Sequence, residues 1–409
     1  MRRLSSATRI ADQVGWSAAF FLFNSAALAS LNTAGFAALA VATAVAFIAI
    51  AMNRSFALTS GVVAGASVGV TSTESVSIRR VYASTAVFSL ATGAVMYVWL
   101  SLSGSAIGQA VELAALAAVM VASDSPRQIL IVSGRYIQSL GLSIGYAVGG
   151  LLGFALSQLW ENVSGVLWIA VLLVIAALGA MLVAVGQRNR ARSHRAAHVG
   201  NLGAALALEA AYYGLAGQLG LILLFALSSD AATASLRISY ALVFAPAFSL
   251  LQGLMPILVR KLSESRVGEN VRQLRRLLVQ WALLTTSGAG VSALLSLIWL
   301  PYFAAVNVSD LLPFLIPVGV SLVSSQILEA VVLGKRIDSG TKGLHLQRSI
   351  LAGADMASQA AGVIFLGVPG LVAAISLISV VKLGLAMFYF SSIGRGSEPR
   401  DVSTAGIGT

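Results

Sequence analysis

A few ionisable residues lie within long apolar segments of this 409-residue chain and are the first candidates for chemistry. Burying a charge in hydrocarbon costs several kcal/mol, so such a residue is usually paired or functional. By helical rise, Arg237 lies about 10 Å from one end of its segment, and Glu209 about 12 Å from the opposite end of the preceding one. In a ~30 Å core their depths differ by roughly 8–10 Å, which long side chains can span. The pattern predicts a cationic site for an anionic group, modulated by Glu209, or a structural pair, or an arginine reaching outward.

Four further residues have two readings each. Asp355 and Lys382 lie at similar depths on the last two apolar segments, which favours a structural ion pair over a working site. Asp12 begins the first segment, where a carboxylate suits the helix dipole. It is therefore either a plain N-terminal cap or, like Glu209, a candidate for ion coupling. Pro246 interrupts the backbone hydrogen bonding of its segment, which produces either a hinge or a passive kink.

No pattern in the sequence indicates a reaction centre, a metal or a cofactor. The chain has no cysteine, and its three histidines fall in hydrophilic stretches. P-loop and H-E-x-x-H motifs are missing from the sequence. Gly141-Leu-Ser-Ile-Gly145 matches the hydrolase G-x-S-x-G pattern, but that motif needs a strand–turn–helix context. Glycines 141, 145, 149 and 153 instead share one helix face, which predicts close helix packing. The expectation is a protein that is not an enzyme and holds no metal or cofactor.

The elements that position these residues are membrane helices. The chain is 58% hydrophobic and 10% charged, whereas a soluble domain carries about 25% charged residues. Each span needs about 20 apolar residues, so the sequence predicts an all-α integral membrane protein with about twelve transmembrane helices. The predicted spans are Asp12–Leu31, Ala34–Met52, Tyr82–Ser103, Ile107–Ser123, Ile137–Gln158, Val163–Gly186, Asn201–Leu227, Ala231–Leu258, Leu277–Leu300, Leu311–Leu333, Ile350–Gly367 and Leu371–Phe390.

The basic residues set the predicted orientation. With these spans, every lysine and arginine except Arg237 and Lys382 falls in a terminal segment or an even-numbered connection. Basic residues accumulate on the cytoplasmic side of membrane proteins, so both termini are predicted to be cytoplasmic and the protein to lie in the plasma membrane. The same rule explains the net charge of +11 without a nucleic-acid partner. A cleaved signal peptide at the N-terminus would spoil this alternation. Residues 56–78 are read as an extension of the second helix or as an interfacial segment.

The twelve spans divide into two halves. Residues 1–186 form an N-terminal six-helix lobe, 187–200 a basic cytoplasmic loop, 201–392 a C-terminal six-helix lobe and 393–409 a cytoplasmic tail. Shifting the second half by 197 residues places Glu209 on Asp12, together with several apolar matches. Both halves begin on the same side, so a duplication would be a parallel repeat with the substrate path between the halves.

Short patterns in the second half resemble a known family. Leu206-Ala-Leu-Glu209, Ala234-Ser-Leu-Arg237, Phe244-Ala-Pro246, Leu251-Gln252-Gly253 and Pro256-Ile-Leu-Val-Arg260 are similar to the oligosaccharide flippase branch of the multidrug/oligosaccharidyl-lipid/polysaccharide (MOP) exporter superfamily. The resemblance implies two lobes around a central cavity lined by spans one, two, seven and eight. Asp12, Glu209, Arg237, Pro246 and Gln252 are the candidate cavity residues. The first span lacks the arginines expected in the lipid II flippase branch.

The resemblance implies a transporter that moves a polyprenyl-linked oligosaccharide to the outer leaflet by alternating access, for surface polysaccharide assembly. A polysaccharide polymerase or glycosyltransferases would be its partners, besides the bilayer. One alternative is a small-solute or drug antiporter of the major facilitator type, although the characteristic basic loop of that family is missing after the second span. The other alternative is a membrane scaffold in a polysaccharide pathway that transports nothing.

Overall fold

The computed structural model describes residues 2–60, 77–157, 164–188, 200–248, 271–299, 308–339 and 344–393, with isolated positions 251, 254, 258, 261 and 262. Within these ranges the chain is helical and contains no strand. In the described part of the chain, nine helices are long and apolar enough to cross a membrane. The helices are α1 (Arg2–Ser30), α2 (Thr33–Asn53), α3 (Ile78–Leu102), α4 (Ile107–Val132), α5 (Tyr136–Ser157), α6 (Ser164–Arg188), α7 (Gly200–Leu227), α8 (Asp230–Ile238), α9 (Val271–Trp299), α10 (Val308–Ser339) and α11 (Leu344–Ser392).

The last helix is two membrane segments joined by a sharp turn. Gly367 has φ 62° and ψ −134°, a backbone conformation that only glycine adopts readily. Pro369 follows within the turn. With α11 divided at this point, the eleven helices give twelve segments in the described part of the chain. The break falls at the end of the predicted span Ile350–Gly367, and the all-helical membrane architecture is confirmed.

Two helices, α2 and α8, are each followed directly by a π-helical turn. α2 continues through Arg54–Thr59 and α8 through Ser239–Phe244, each with the wider π-helical spacing. In α8 the turn directly precedes Pro246, which has no N–H to donate and whose ring crowds the carbonyl four residues earlier. The wider turn accommodates that lost hydrogen bond. The extension of α2 reaches Ser60, and residues 61–76 lie outside the described part of the chain.

Helix packing repeats between the halves. α1 packs on α5 and α3 on α4, and six helices later α7 packs on α11 and α9 on α10. This pattern is what a parallel duplication produces. The halves meet where α2 packs against α7 and α8. Many large apolar side chains face outward, such as Leu90 and Phe365, which are 74% and 80% exposed, because their solvent is lipid. The boundaries of the lobes stay a prediction, since residues 189–199 lie outside the described ranges.

The two predicted helix boundaries that differ most from the structure are wrong for the same physical reason. α1 begins at Arg2 rather than at Asp12, and α4 continues through Pro126 to Val132 instead of ending at Ser123. The sequence predicts that the charged residues near these ends mark the limits of the apolar spans. In the structure they are neutralised by ion pairs and stay inside the bundle. Arg127 therefore lies within a helix. This contradicts the prediction that the basic residues other than Arg237 and Lys382 are confined to terminal segments and connections.

The glycine face of α5 contacts its neighbours at one end only. A Cβ on Gly149 would lie 2.5 Å from Val171 Cγ1 of α6, so no larger residue fits there without movement. Gly141 and Gly145 face open space. Close packing along the whole face, as the four-residue spacing predicts, is therefore wrong for these two positions.

Candidate functional site

A cavity of about 800 Å³ lies mainly within the second half of the bundle. Its walls come from α7, α10 and α11, with Tyr240 from α8 and with Ala51 and Ser55 from α2 of the first half. Tyrosines, serines and glutamines provide much of the polar lining, and four charged residues complete it. Those charged residues are Glu329, Arg348, Asp355 and Lys382. The cavity is therefore suited to a polar solute that carries charge.

Arg348 organises one end of the cavity. Its Nη2 donates to Glu329 Oε2 at 2.6 Å, and its Nη1 lies 3.8 Å from Glu209 Oε1. The guanidinium also stacks 4.5 Å from the ring centroid of Tyr213. Arg348 thus forms ion pairs with two carboxylates, and it connects Glu209 to the cavity that Arg348 lines. The sequence places Arg348 in a connection, whereas the structure has it near the start of α11 with a side chain only 16% exposed.

The second charged group of the cavity is the pair Asp355–Lys382. Lys382 Nζ donates to Asp355 Oδ2 at 2.8 Å and lies 3.4 Å from Ser325 Oγ. The side chains are 14% and 6% exposed for Lys382 and Asp355, and both line the cavity. The structure thus brings the two residues together at the cavity wall, where a solute can reach them. A purely structural role for the pair stays a prediction.

Gln359 connects this pair to the backbone of α7. Its Nε2 donates to Asp355 Oδ1 at 2.6 Å and to the carbonyl of Ala216 at 2.8 Å. Its Oε1 accepts from the Gly220 N–H at 2.8 Å. In an uninterrupted α-helix the carbonyl of Ala216 and the N–H of Gly220 bond each other directly. The glutamine amide therefore bridges two groups that a regular helix would join.

Arg237 lies at the seam between the halves, away from the cavity wall. It is 3% exposed, and its guanidinium stacks over Phe20 of α1 and Phe47 of α2 at 5.3 and 5.8 Å. Its Nε and Nη2 have no hydrogen-bond partner among the described residues. Glu209 lies by Arg348 instead, so the structure does not support the alternative in which Arg237 and Glu209 form a structural pair. Arg237 is a buried cation whose neighbours are aromatic rings from the other half.

Asp12 belongs to a buried charged cluster in the first half that the sequence does not reveal. It accepts from Arg127 Nη2 at 2.7 Å and from the hydroxyls of Ser139 and Ser143 at 2.9 and 2.7 Å. Arg127 also stacks 4.6 Å from the Trp16 ring. Since Asp12 is in the third turn of α1 and 2% exposed, its reading as an N-terminal cap is wrong.

The same cluster extends to α2. Arg54 Nε donates to Asp124 Oδ2 at 2.7 Å, and Asp124 lies three residues before Arg127 on α4. Asn53 joins the neighbouring hydroxyls, donating to Thr85 at 2.9 Å and to Ser125 at 3.0 Å. The one sequence signal for this group is an acidic and a basic residue spaced i, i+3 inside an apolar run.

The remaining candidates contribute no lining to the described cavity. Pro246 lies on an exposed face of α8 and is not among the residues that line it. Gln252 lies outside the described residues. Within the described ranges, no group of three histidine, cysteine, aspartate or glutamate side chains could hold a metal ion. The arrangement supplies hydrogen bonds and charge for binding a solute.

Comparison with known proteins gives matches only at the level of structure. No family model and no curated protein sequence matches the chain. An outward-facing MATE family multidrug resistance transporter of the MOP superfamily is similar with TM-score 0.62 at 15% identity, covering 96% of this chain and 97% of that one. An inward-facing MATE transporter gives 0.60 at 14% identity, covering 94% and 96%.

A third match is a MOP superfamily transporter from Pyrococcus furiosus, with TM-score 0.60 at 13% identity, covering 95% of this chain and 96% of that one. At such identities the likeness establishes the fold. These three matches are all MOP superfamily transporters, and none of them is described as a major facilitator protein. The chain has the fold of the MATE transporters of the MOP superfamily.

Proposed function

We propose that this protein is an alternating-access transporter that flips a lipid-linked oligosaccharide to the outer leaflet. The observation that carries the proposal is Arg237, a cation buried at the seam between the halves, whose donor nitrogens Nε and Nη2 have no hydrogen-bond partner among the described residues. Leaving buried donors unsatisfied costs about 1–3 kcal/mol each, and more for a charged group. A residue kept at that cost is expected to gain a partner in another state of the protein. A phosphate or an acidic sugar of the substrate is a suitable partner.

The seam itself supplies the second state. Phe20 and Phe47 cover Arg237 from the first half, so parting of the halves at this point would uncover the guanidinium. Two of the structurally similar transporters are described as inward-facing and outward-facing. The same alternation in this chain would close one end of the path and open the other. Arg237 would then meet the substrate only in the state that opens its side.

The cavity supports a saccharide as the transported head group. Its volume falls within the range of about 300–1,000 Å³ that ligand pockets occupy. Tyr213 and Tyr240 offer rings for stacking, while Gln326 and serines 321 and 325 offer hydrogen bonds to hydroxyl groups. The polyprenyl tail would remain in the bilayer, beside the exposed apolar faces. Asp12 and Glu209 are the candidates for coupling to an ion gradient, and an external polymerase or glycosyltransferase would take the product.

The experiment combines gene deletion with mass spectrometry of lipid-linked saccharides from the membranes. We expect one polyprenyl-linked oligosaccharide to accumulate and the wild-type gene to reverse this. Arg237→Glu should fail to reverse it while reaching the membrane in normal amount. Arg275→Glu is the matched control, because Arg275 also stacks over a phenylalanine ring, at 5.8 Å, but lies on α9. An unchanged lipid profile in the deletion strain would refute the flippase function, and full activity of Arg237→Glu would refute the role of that residue.

A second candidate function is export of small cations or drugs. The carboxylates Glu329 and Asp355 line the described cavity, and Glu209 lies beside it at Arg348. These carboxylates offer partners to a cationic solute. Loss of resistance to cationic compounds in the deletion strain, with an unchanged lipid profile, would favour this candidate. If neither phenotype appears and the charged residues tolerate substitution, the protein is a scaffold that transports nothing.

A further inference from the structure

The amide of Gln359 occupies an unusual position, because it bonds a carbonyl and an N–H of α7 that pair with each other in a regular helix. Both of its N–H groups and its oxygen are engaged, by Ala216, Asp355 and Gly220. A side chain inserted into the i→i−4 ladder is one of the recognised causes of a bend in a helix. The insertion on α7 lies next to Gly217 and includes Gly220, and glycine tolerates changes in backbone angles better than other residues do.

The orientation of this amide is set by Asp355. Gln359 presents nitrogen to the Ala216 carbonyl and oxygen to the Gly220 N–H, and the reverse orientation would face a donor with a donor. The remaining N–H of Gln359 is held by Asp355 Oδ1, and Asp355 Oδ2 is held by Lys382. Gln359 is buried at 6% exposure, so its amide is not free to turn toward water.

The affected stretch of α7 lies at the contact between the halves. A Cβ built on Gly214 would lie 3.3 Å from Ile48 Cγ1 of α2. Gly214 and Gly217 also line the cavity, as does Lys382. A continuous series of contacts therefore runs from the cavity through Lys382, Asp355 and Gln359 to the part of α7 that touches the other half.

We propose that Gln359 is a positioning residue that couples occupancy of the cavity to the shape of α7. An anionic group that enters the cavity competes with Asp355 for Lys382. Once Lys382 turns to the ligand, Asp355 is left without its counterion and draws the N–H donors of Gln359 toward itself, away from α7. The Ala216 carbonyl and the Gly220 N–H then bond only each other, and the shape of α7 against α2 changes. This deepens the proposed function, because the anionic group is that of the transported head group.

The absence of cysteine from the chain makes a spin-label test direct. Labelled cysteines at Leu227 and Leu102, both exposed on the protein surface, report one end of α7 against the first half. A second pair at Leu208 and Ile137, also exposed, reports the other end. The part of α7 from Gly217 to Leu227 is about 15 Å long, and a turn of about 20° moves its end by about 5 Å. Double electron–electron resonance on the full chain in lipid nanodiscs measures such a shift.

Substitution of Gln359 tests the insertion itself. Gln359→Leu should shift the mean distance of at least one label pair by about 5 Å, and Gln359→Met is the second variant in case Leu impairs folding. Gln326→Leu is the matched control, since Gln326 also lines the cavity but lies on α10. Distances in Gln359→Leu and Gln359→Met that equal those of the control would overturn the proposal.

Substitution of Lys382 and addition of an anion test the coupling. Lys382→Gln should shift the distances in the same direction as Gln359→Leu, and the double variant should shift no further. A double variant that shows the sum of both shifts would overturn the action of Lys382 through Gln359. Inorganic pyrophosphate should shift the wild-type distances and leave those of Lys382→Gln unchanged; without a shift in the wild type, the anionic trigger is wrong. These distances require no transport, so the flippase function and the coupling can fail separately.

Discussion

Breaking the buried ion pair between Asp12 and Arg127 should be among the most destabilising changes in the chain. The two side chains are 3% and 1% exposed, and their charged atoms lie 2.7 Å apart. Removing one partner of a buried pair typically costs about 3–5 kcal/mol, because the other charge stays buried without compensation. Arg127→Met keeps an unbranched, though shorter, side chain and removes its charge, leaving Asp12 with two hydroxyl donors among the described residues. We expect its free energy of unfolding to fall by about 3–5 kcal/mol.

The pairing predicts that a second substitution adds little to this loss. In Asp12→Asn/Arg127→Met neither charge remains, so the double variant should be no less stable than Arg127→Met alone. Equilibrium unfolding in mixed SDS micelles, followed by tryptophan fluorescence, provides the comparison. Thr286→Ala is a suitable control, because its hydroxyl bonds a carbonyl of its own helix on an exposed face. Losses that simply add in the double variant would show that the two residues do not stabilise each other, and the reasoning would fail.

Three further predictions concern single positions. Gly149→Val should cost about 1–3 kcal/mol by overpacking against Val171, whereas Gly145→Ala, which faces open space, should cost nothing measurable in the same unfolding assay. Gly367→Ala should cost about 1–3 kcal/mol, because the φ of 62° with ψ −134° strains any residue with a Cβ; stability equal to that of Gly145→Ala would contradict this. Glu209→Gln should remove the dependence of transport on an ion gradient in proteoliposomes, and unchanged dependence would exclude Glu209 as the coupling residue.

Hydropathy and turn residues were sufficient to predict the membrane helices. An apolar run of about 20 residues forms an α-helix in lipid, because every backbone N–H and C=O must find its hydrogen-bond partner within the segment. Gly367 and Pro369 mark the turn between the last two segments, and a sequence reader can recognise both. The ends of α1 and α4 could not be predicted in this way, since charges normally end a membrane span. Asp12 and Arg127 neutralise each other, but they lie 115 residues apart in the sequence.

The candidate site was harder to predict than the helices. Depth along a helix brings Glu209 and Arg237 to compatible heights, but it carries no information on which way each side chain points. In the structure Glu209 faces Arg348 from α11, and Arg237 faces Phe20 and Phe47. The rotation of each helix about its axis is set by packing with non-neighbouring helices. Gln359 carries no charge and matches no motif, so nothing in the sequence marks it.

The two halves differ in how their related acidic residues are surrounded, and this has a genetic consequence. Asp12 is sealed with Arg127, while Glu209, its counterpart at a shift of 197 residues, is 22% exposed beside a cavity. Substitutions at the first site unfold the protein, and cellular proteases then degrade the unfolded chains. Damage to the second leaves protein in the membrane that works badly. A collection of loss-of-function alleles should therefore divide by position, with low abundance for Asp12 and Arg127 and normal abundance for Glu209.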